Sequence, residues 1–261
     1  LKALTPKVAD LNTGYGSIGN GIFANFNNYG SYSSFFGTSG KVPIPSGIPA
    51  LPSSSGIGGS AIASDINIVF SGRYYNNTYI TNLKNWLTDP NYTNRIAIVC
   101  LDNDNGTQNG NLFANFTDWG YKYRSNSGTY ATWDTENHTN DPVWEYITTN
   151  SPFHNINSSK SLDFSSNFVR DGISGSFDYP STATSVLKVG NNGCGLSIDL
   201  STRIIFYGDT QYAYYACSPA QLTQSGTSNT NYSRGELHAT LWAIIYNTAM
   251  YGDHFTDTLK K

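Results

Sequence analysis

The sequence predicts an α/β domain: three α/β/α layers with a mostly parallel central sheet and a β-hairpin near the C-terminal half. Three short apolar segments, residues 65–72, 95–102 and 203–209, end at a glycine or an aspartate and precede polar loops. Nearly continuous Ile and Val are typical of strands buried on both faces, as in a parallel sheet covered by helices. Helical patterns occur between and after these strands, which favours helices on the sheet faces.

The first helical signals follow the first two strands. Residues 78–87 carry apolar side chains at i, i+3 and i+7, and Asp89-Pro90 ends this helix. The segment Leu112–Tyr123 after the second strand has no pattern that fixes its type. Asp141 as N-cap and a proline at the first helical position predict a helix from Val143 to Thr149.

The C-terminal half begins with a hairpin signal. Residues 185–190 and 195–199 are predicted strands, and the Asn191–Cys194 segment between them is a turn. The third apolar strand follows, and then a long loop. Ser233-Arg-Gly-Glu236 is a capping box that opens the final helix, whose apolar face runs from Leu237 to Thr248.

The chain divides by composition into two regions. Residues 1–60 are rich in Gly, Ser and aromatic residues and contain four prolines between 43 and 52, without a helical period. Such a segment is typical of an extended arm or loop region, and its aromatic residues suggest that it lies across the domain surface. The alternative is that it caps the sheet edge or passes to a neighbouring domain. Residues 61–261 are predicted to be the α/β domain.

The charge and the hydropathy of the sequence argue against a nucleic-acid-binding protein and against a membrane-spanning segment. Charged residues make up 13% of the 261 residues, against about 25% in a typical soluble domain. The formal net charge is -3 and no basic run occurs, so no nucleic-acid partner is expected. No apolar run approaches the ~18 residues of a membrane span. The chain starts at Leu1 and is rich in Asn, Ser, Thr, Tyr and Gly, which suggests a processed, extracytoplasmic product.

The three cysteines do not define a disulfide framework. Cys100 lies inside a predicted buried strand and is expected to be a small apolar core residue. A disulfide between Cys194 and Cys217 is possible, but no spacing rule supports it.

The C-terminal motifs resemble a known family. The run Gly193-Cys-Gly-Leu-Ser-Ile-Asp, the strand Ile204-Ile-Phe-Tyr-Gly-Asp-Thr, an Asn-containing loop and a closing helix are similar to the last part of class I glutamine-amidotransferase-like domains. They resemble most the non-catalytic members that are fused to bacterial surface and motility proteins. The long Asn- and Tyr-rich loops are also similar to those of Bacteroidota surface or fimbria-associated proteins. The resemblance implies a flavodoxin-like α/β domain without catalytic residues.

A candidate ligand-binding edge follows from the strand order. Functional groups in parallel sheets gather at the carboxyl ends of the strands. Tyrosine, guanidinium and amide groups suit carbohydrate or peptide contacts through stacking and neutral hydrogen bonds. If the first and third strands are neighbours, one edge brings together Arg73, Tyr74, Tyr75, Gln211 and Tyr212.

A calcium site at the same edge is a second hypothesis. Oxygen ligands at alternate positions after the second strand resemble a calcium loop. The segment fails as an EF-hand, because placing Gly106 at the sixth position puts Leu101 at the first. A different cation site could use Asp102, Asp104 and Asp209; the alternative is a solvated turn. A von Willebrand A-type metal site is disfavoured, since Ser71-Gly-Arg-Tyr-Tyr stands where that site needs an aspartate.

The sequence assigns no catalytic residue. Cys194 lies between two glycines, as an amidotransferase nucleophile would, but a strand follows it and no histidine–glutamate pair has the family's spacing. No Gly-x-Ser-x-Gly elbow, phosphate loop or dinucleotide motif occurs. The expected function is a non-enzymatic binding or adhesion domain of a bacterial surface protein, with a carbohydrate or protein ligand. The alternatives are a hydrolase of glycans or amides that uses Asp102, Asp209 or Cys194, and a subunit of a surface assembly.

Overall fold

A computed structural model gives the fold of part of the chain. The described residues are 7–11, 55–56, 61–71, 77–101, 106–125, 130–134, 136, 138, 140–145, 167–170, 175–190, 193–208, 241, 244–245, 248–249 and 252. Within them, no helix is long and apolar enough to cross a membrane.

Strands dominate the described part of the chain. The α-helices whose bounds are described are α1 (Asn77–Thr88), α2 (Gly106–Ala114) and α3 (Pro142–Glu145), and Thr117–Trp119 form a 3₁₀ turn. The strands are β1 (Val8–Leu11), β2 (Ser55–Gly56), β3 (Ile68–Ser71), β4 (Ile96–Cys100), β5 (Lys122–Ser125), β6 (Tyr130–Trp133), β7 (Asn167–Arg170), β8 (Ser176–Asp178), β9 (Thr184–Val189), β10 (Gly193–Asp199) and β11 (Ile204–Tyr207).

These strands form one mixed sheet. Its main path runs β2-β1-β3-β4-β11-β10-β9-β6-β7, and β8 joins β5 to β10 beside that path. The five strands from β2 to β11 are mutually parallel. Every other pairing among the described strands is antiparallel.

The predicted fold class is therefore wrong. A three-layer α/β/α fold with a mostly parallel sheet was expected, but antiparallel pairings outnumber parallel ones in this sheet, and the described helices are few. The apolar segments were correctly read as buried strands, since β3, β4 and β11 are buried at every residue. Burial on both faces does not encode strand direction, because covered antiparallel strands carry the same apolar residues.

The predicted α1 helix and hairpin are confirmed. Helix α1 buries Ile80, Leu83, Trp86 and Leu87 against the sheet and connects the parallel neighbours β3 and β4. Strands β9 and β10 are antiparallel neighbours, as the hairpin signal predicts. The final helix has five described residues, all helical and buried: Leu241, Ile244, Ile245, Thr248 and Ala249. Its capping box lies outside the described residues.

Other elements were not predicted. The segment left without a type is the end of α2, a 3₁₀ turn and strand β5. No strand was predicted in the segments that contain β6, β7 and β8. Strands β1 and β2 belong to the segment assigned to an N-terminal arm, and both pair into the sheet.

An aromatic cluster fills the core on the α1 and α2 side of the sheet. Phe113 of α2 stacks on Phe177 of β8 and contacts Phe206 of β11, each with ring centroids 5.0 Å apart. Tyr121 and Phe116 also contact Phe206, at 4.6 and 5.1 Å. All five side chains are at most 1% exposed. Rings at these separations contribute beyond simple area burial, so this cluster ties β8 to the parallel strands.

Two arginines cap the C-terminal end of α1. Arg95 is 1% exposed and donates to the carbonyl oxygens of Trp86 at 2.7 Å and Ser64 at 2.8 Å. Its guanidinium also lies 3.8 Å from the centroid of the Tyr92 ring. Arg203, in the left-handed region with φ of 60°, donates to the Leu87 carbonyl. The last carbonyls of a helix lack partners within the helix, and here the residues directly before β4 and β11 supply the donors.

Arg95→Met is expected to destabilise the protein by about 2–4 kcal/mol, because two carbonyls lose a charged donor in a water-poor site. The matched control is Arg124→Met, since Arg124 forms a surface ion pair with Asp178; it should cost at most about 1 kcal/mol. Urea unfolding measures both free energies. Equal stability of the two variants would contradict the capping role.

Candidate functional site

The carboxyl ends of three parallel strands lie side by side. Strand β4 is flanked by β3 and β11, and the register pairs Ser71 with Val99 and Tyr207 with Cys100. The Leu101 amide continues the ladder by donating to the Tyr207 carbonyl at 2.8 Å. The segments that follow these three strands therefore leave the sheet at the same edge, hereafter the carboxyl edge.

The side chains predicted for this edge lie outside the described residues. The ligand-binding set is Arg73, Tyr74, Tyr75, Gln211 and Tyr212, and the metal set is Asp102, Asp104 and Asp209. The structure brings together the strand ends from which these segments depart, at Ser71, Leu101 and Gly208. Among the described residues, no group of three or more His, Cys, Asp or Glu side chains could hold a metal ion.

Glycines close the base of the carboxyl edge. The Gly208 amide donates to the Gly195 carbonyl at 2.7 Å, and the Gly175 amide donates to the Gly208 carbonyl at 3.1 Å. A Cβ atom on Gly175 would lie 3.2 Å from the Gly208 oxygen and 3.4 Å from the Leu101 Cβ. The chain before β8 thus packs closely against the ends of β4 and β11. Sequence reasoning missed Gly175, because this contact joins segments far apart in the chain.

Cys194 has the environment of a structural cysteine. It is 2% exposed and belongs to the core cluster that contains Phe177 and Phe206. Its thiol donates to the Leu196 carbonyl at 3.1 Å, and burial raises its pKa to about 12. A nucleophilic cysteine needs a depressed pKa and access for its substrate. Among the described residues, Cys100 is also buried.

Asp141, the N-cap of α3, belongs to a polar cluster with Thr184 and His138. The sequence predicted the cap but not the other two contacts. As predicted, Asp141 caps the helix, its Oδ1 accepting from the amides of Val143 at 2.9 Å and Trp144 at 3.2 Å. Its Oδ2 accepts from the Thr184 hydroxyl at 2.5 Å and lies 3.6 Å from His138 Nδ1. The predicted helix to Thr149 is described only as far as Glu145.

The charge of Asp141 is stabilised by these contacts. Burial raises its pKa, but the nearby His138 imidazole and the hydrogen bonds from Thr184 and the two amides outweigh burial and hold the pKa below its ordinary value. The His138 ring stacks on Trp144, with centroids 4.3 Å apart. The other three histidines lie outside the described residues. The ionised carboxylate therefore fastens α3 to the start of β9.

Comparison with protein-family models and with curated protein sequences gives no match for this chain.

Cys194 is expected to resist alkylation by iodoacetamide in the native protein at neutral pH and to react only after unfolding in urea. Burial and the raised pKa both keep the thiolate population small. Peptide mapping by mass spectrometry measures the modification at each cysteine separately. Alkylation of Cys194 in the native state within minutes would mark it as an accessible nucleophile and contradict the structural role.

Asp141→Ala is expected to lower the free energy of unfolding at neutral pH by about 1–2 kcal/mol, through loss of the helix cap. Since the folded pKa of Asp141 is depressed, its contribution is fully present above the unfolded value of about 3.9. That contribution is lost as the pH falls through the folded pKa. Urea titrations of both proteins should therefore show a stability difference that shrinks as the solution is acidified below this unfolded value. A constant difference would contradict the role of the charged carboxylate.

Proposed function

We propose that this chain is a non-enzymatic, extracytoplasmic binding or adhesion domain of a bacterial surface protein. Its ligand is a carbohydrate or a protein, bound at the carboxyl edge. The observation that carries the proposal is the adjacency of β3, β4 and β11, which are parallel and end level with one another. The segments that carry the predicted ligand contacts follow β3 and β11. These two strands are not the direct neighbours that the prediction assumed, but flank β4 on its two sides.

The chemistry of those segments supports a recognition surface. Arg73, Tyr74 and Tyr75 follow β3, and Gln211 and Tyr212 follow β11. Tyrosine provides a large rigid face with a polar tip, and the guanidinium and amide provide hydrogen bonds without a large net charge. Such groups suit a neutral glycan or a peptide better than a polyanion.

The hydrolase alternative has less support. Its thiol version needs an accessible thiolate, and Cys194 is buried with a raised pKa. Its carboxylate version depends on Asp102 and Asp209, which follow the neighbouring strands β4 and β11. The same two carboxylates, with Asp104, are the proposed ligands of a calcium ion at this edge. Ligand binding is therefore to be measured both with and without calcium.

The surface setting and the family resemblance are parts of the same proposal. The low charge and the Asn-, Ser- and Tyr-rich composition support an extracytoplasmic location. The Gly193–Asp199 and Ile204–Tyr207 strands that carry the resemblance to non-catalytic glutamine-amidotransferase-like domains are antiparallel neighbours. A surface protein of this kind can also assemble with other subunits, with residues 1–60 as the proposed contact.

The proposal predicts that Tyr74→Ala and Tyr212→Ala each weaken ligand binding at least about tenfold, equivalent to about 1.4 kcal/mol. A glycan array and a binding assay on host cells, with and without calcium, identify the ligand and measure the loss. The matched control is Tyr179→Ala, because Tyr179 is an exposed tyrosine away from this edge.

Binding that survives both edge substitutions would contradict the proposed edge. Ligand binding that depends on calcium and is lost in Asp102→Asn and in Asp209→Asn would support the calcium site. Turnover of a bound glycan or amide, abolished by either aspartate substitution, would favour the hydrolase instead.

A further inference from the structure

A groove of about 340 Å³ opens beside α3, away from the carboxyl edge. Ile198 and Leu200 line it at the end of β10, where the partner of Asp199 is Ile204, the first residue of β11. The groove therefore lies at the start of the parallel strands. Its volume falls within the range of about 300–1,000 Å³ that is typical of small-molecule sites.

The polar wall of the groove is built from uncharged groups and one carboxylate. Its polar residues are Asn140, Asp141, Ser181, Thr182 and Thr184. Among the described residues that line the groove there is no lysine, arginine or histidine and no aromatic ring. An anion would thus meet a carboxylate without a compensating cation, and an aromatic ligand would find no ring to stack on.

Two aspartates, the half-buried Asp141 and the buried Asp199, hold this wall in place. Asp141 is fixed by the two helix amides and by Thr184. Asp199 is 1% exposed and accepts from the Thr182 hydroxyl at 3.0 Å and from the Ser201 amide at 2.9 Å. Each of the two hydroxyls uses its proton on an aspartate, so its oxygen retains lone pairs that can accept a hydrogen bond. The acceptors are therefore positioned before any ligand arrives.

Asn140 and the apolar side chains complete the groove. Asn140 is exposed and has φ of 63°, a left-handed conformation that asparagine tolerates better than most residues. Pro142, Val143 and Leu200 add apolar surface to the lining. A pocket with apolar walls and a few fixed polar groups orients a small ligand through those groups.

We propose that this groove binds a neutral, hydroxylated ligand of monosaccharide size. The hydroxyl groups of such a ligand donate to the fixed oxygens of Asp141, Thr182 and Thr184 and bond to the Asn140 amide. Its C–H faces pack on Pro142, Val143 and Leu200. The site is separate from the carboxyl edge and does not depend on the function proposed there.

An amide chemical-shift titration of the full chain tests this site. The probes are D-glucose, D-galactose and N-acetyl-D-glucosamine, with ethanolamine as a cationic probe and inorganic phosphate as an anionic probe. At least one sugar is expected to shift the amides of residues 140, 141, 143, 144 and 181–184, with an affinity on the order of millimolar.

Two variants remove the site without disturbing the described contacts. Ser181→Phe fills the groove from an exposed position, and Asn140→Gly removes the amide while keeping a residue that accepts a positive φ. Ser181→Phe should weaken sugar binding at least about tenfold. Thr81→Phe places the same side chain at an exposed position of α1 and should leave binding unchanged.

Three outcomes would overturn the proposal. The first is no shift from any sugar at the groove amides. The second is a response to ethanolamine or phosphate alone, which would reject the ligand class. The third is sugar binding that survives Ser181→Phe but is lost in Tyr74→Ala, which would move the sugar to the carboxyl edge and leave the groove without a role.

Discussion

The packing of Phe113 against Phe177 and Phe206 is the contact on which the rest of the described structure depends. These rings belong to α2, β8 and β11, three elements that are distant in the sequence. Strand β11 is parallel to β4, whereas β8 pairs in antiparallel fashion with β10 and β5. The aromatic cluster therefore joins the parallel and antiparallel parts of the sheet through one helix. Without it, β5 and β8 would have little apolar surface to hold them, since β5 alternates between exposed and half-buried residues.

The position of the candidate site follows from this packing. Helix α2 starts directly after the segment that follows β4, so its packing on Phe206 constrains where that segment can run. The contact of Gly175 with Gly208 closes the base of the same edge from the β8 side. At the other end of the sheet, Asp141 and Asp199 hold the neighbouring segments in place with hydrogen bonds. One end is shaped by close backbone packing and the other by the hydrogen bonds of two aspartate carboxylates.

Local signals in the sequence predicted local structure. The period of residues 78–87, the Asp141 cap and the β9–β10 hairpin are each contained in a short stretch of chain, and each is confirmed. The pairing of β5 with β8 joins residues about fifty positions apart, as the Ser125–Ser176 contact shows. No local pattern encodes such a partner, and polar strands such as Lys122–Ser125 lack the apolar run that marks β3 or β4. The same limit applies to the candidate site. The sequence predicted Asp141 as a helix cap, but it did not predict the hydrogen bond from the distant Thr184.

The adjacency of β3, β4 and β11 is the central claim, because the proposed binding edge depends on it. Backbone NOEs measured on isotope-labelled protein test it directly. The account predicts contacts between Cys100 and Tyr207 and between Ser71 and Val99, as expected for level parallel strands. Contacts of Tyr207 with Ala97 in place of Cys100 would show an antiparallel β11. The segments after β4 and β11 would then leave the sheet at opposite ends, and the proposed edge would not exist.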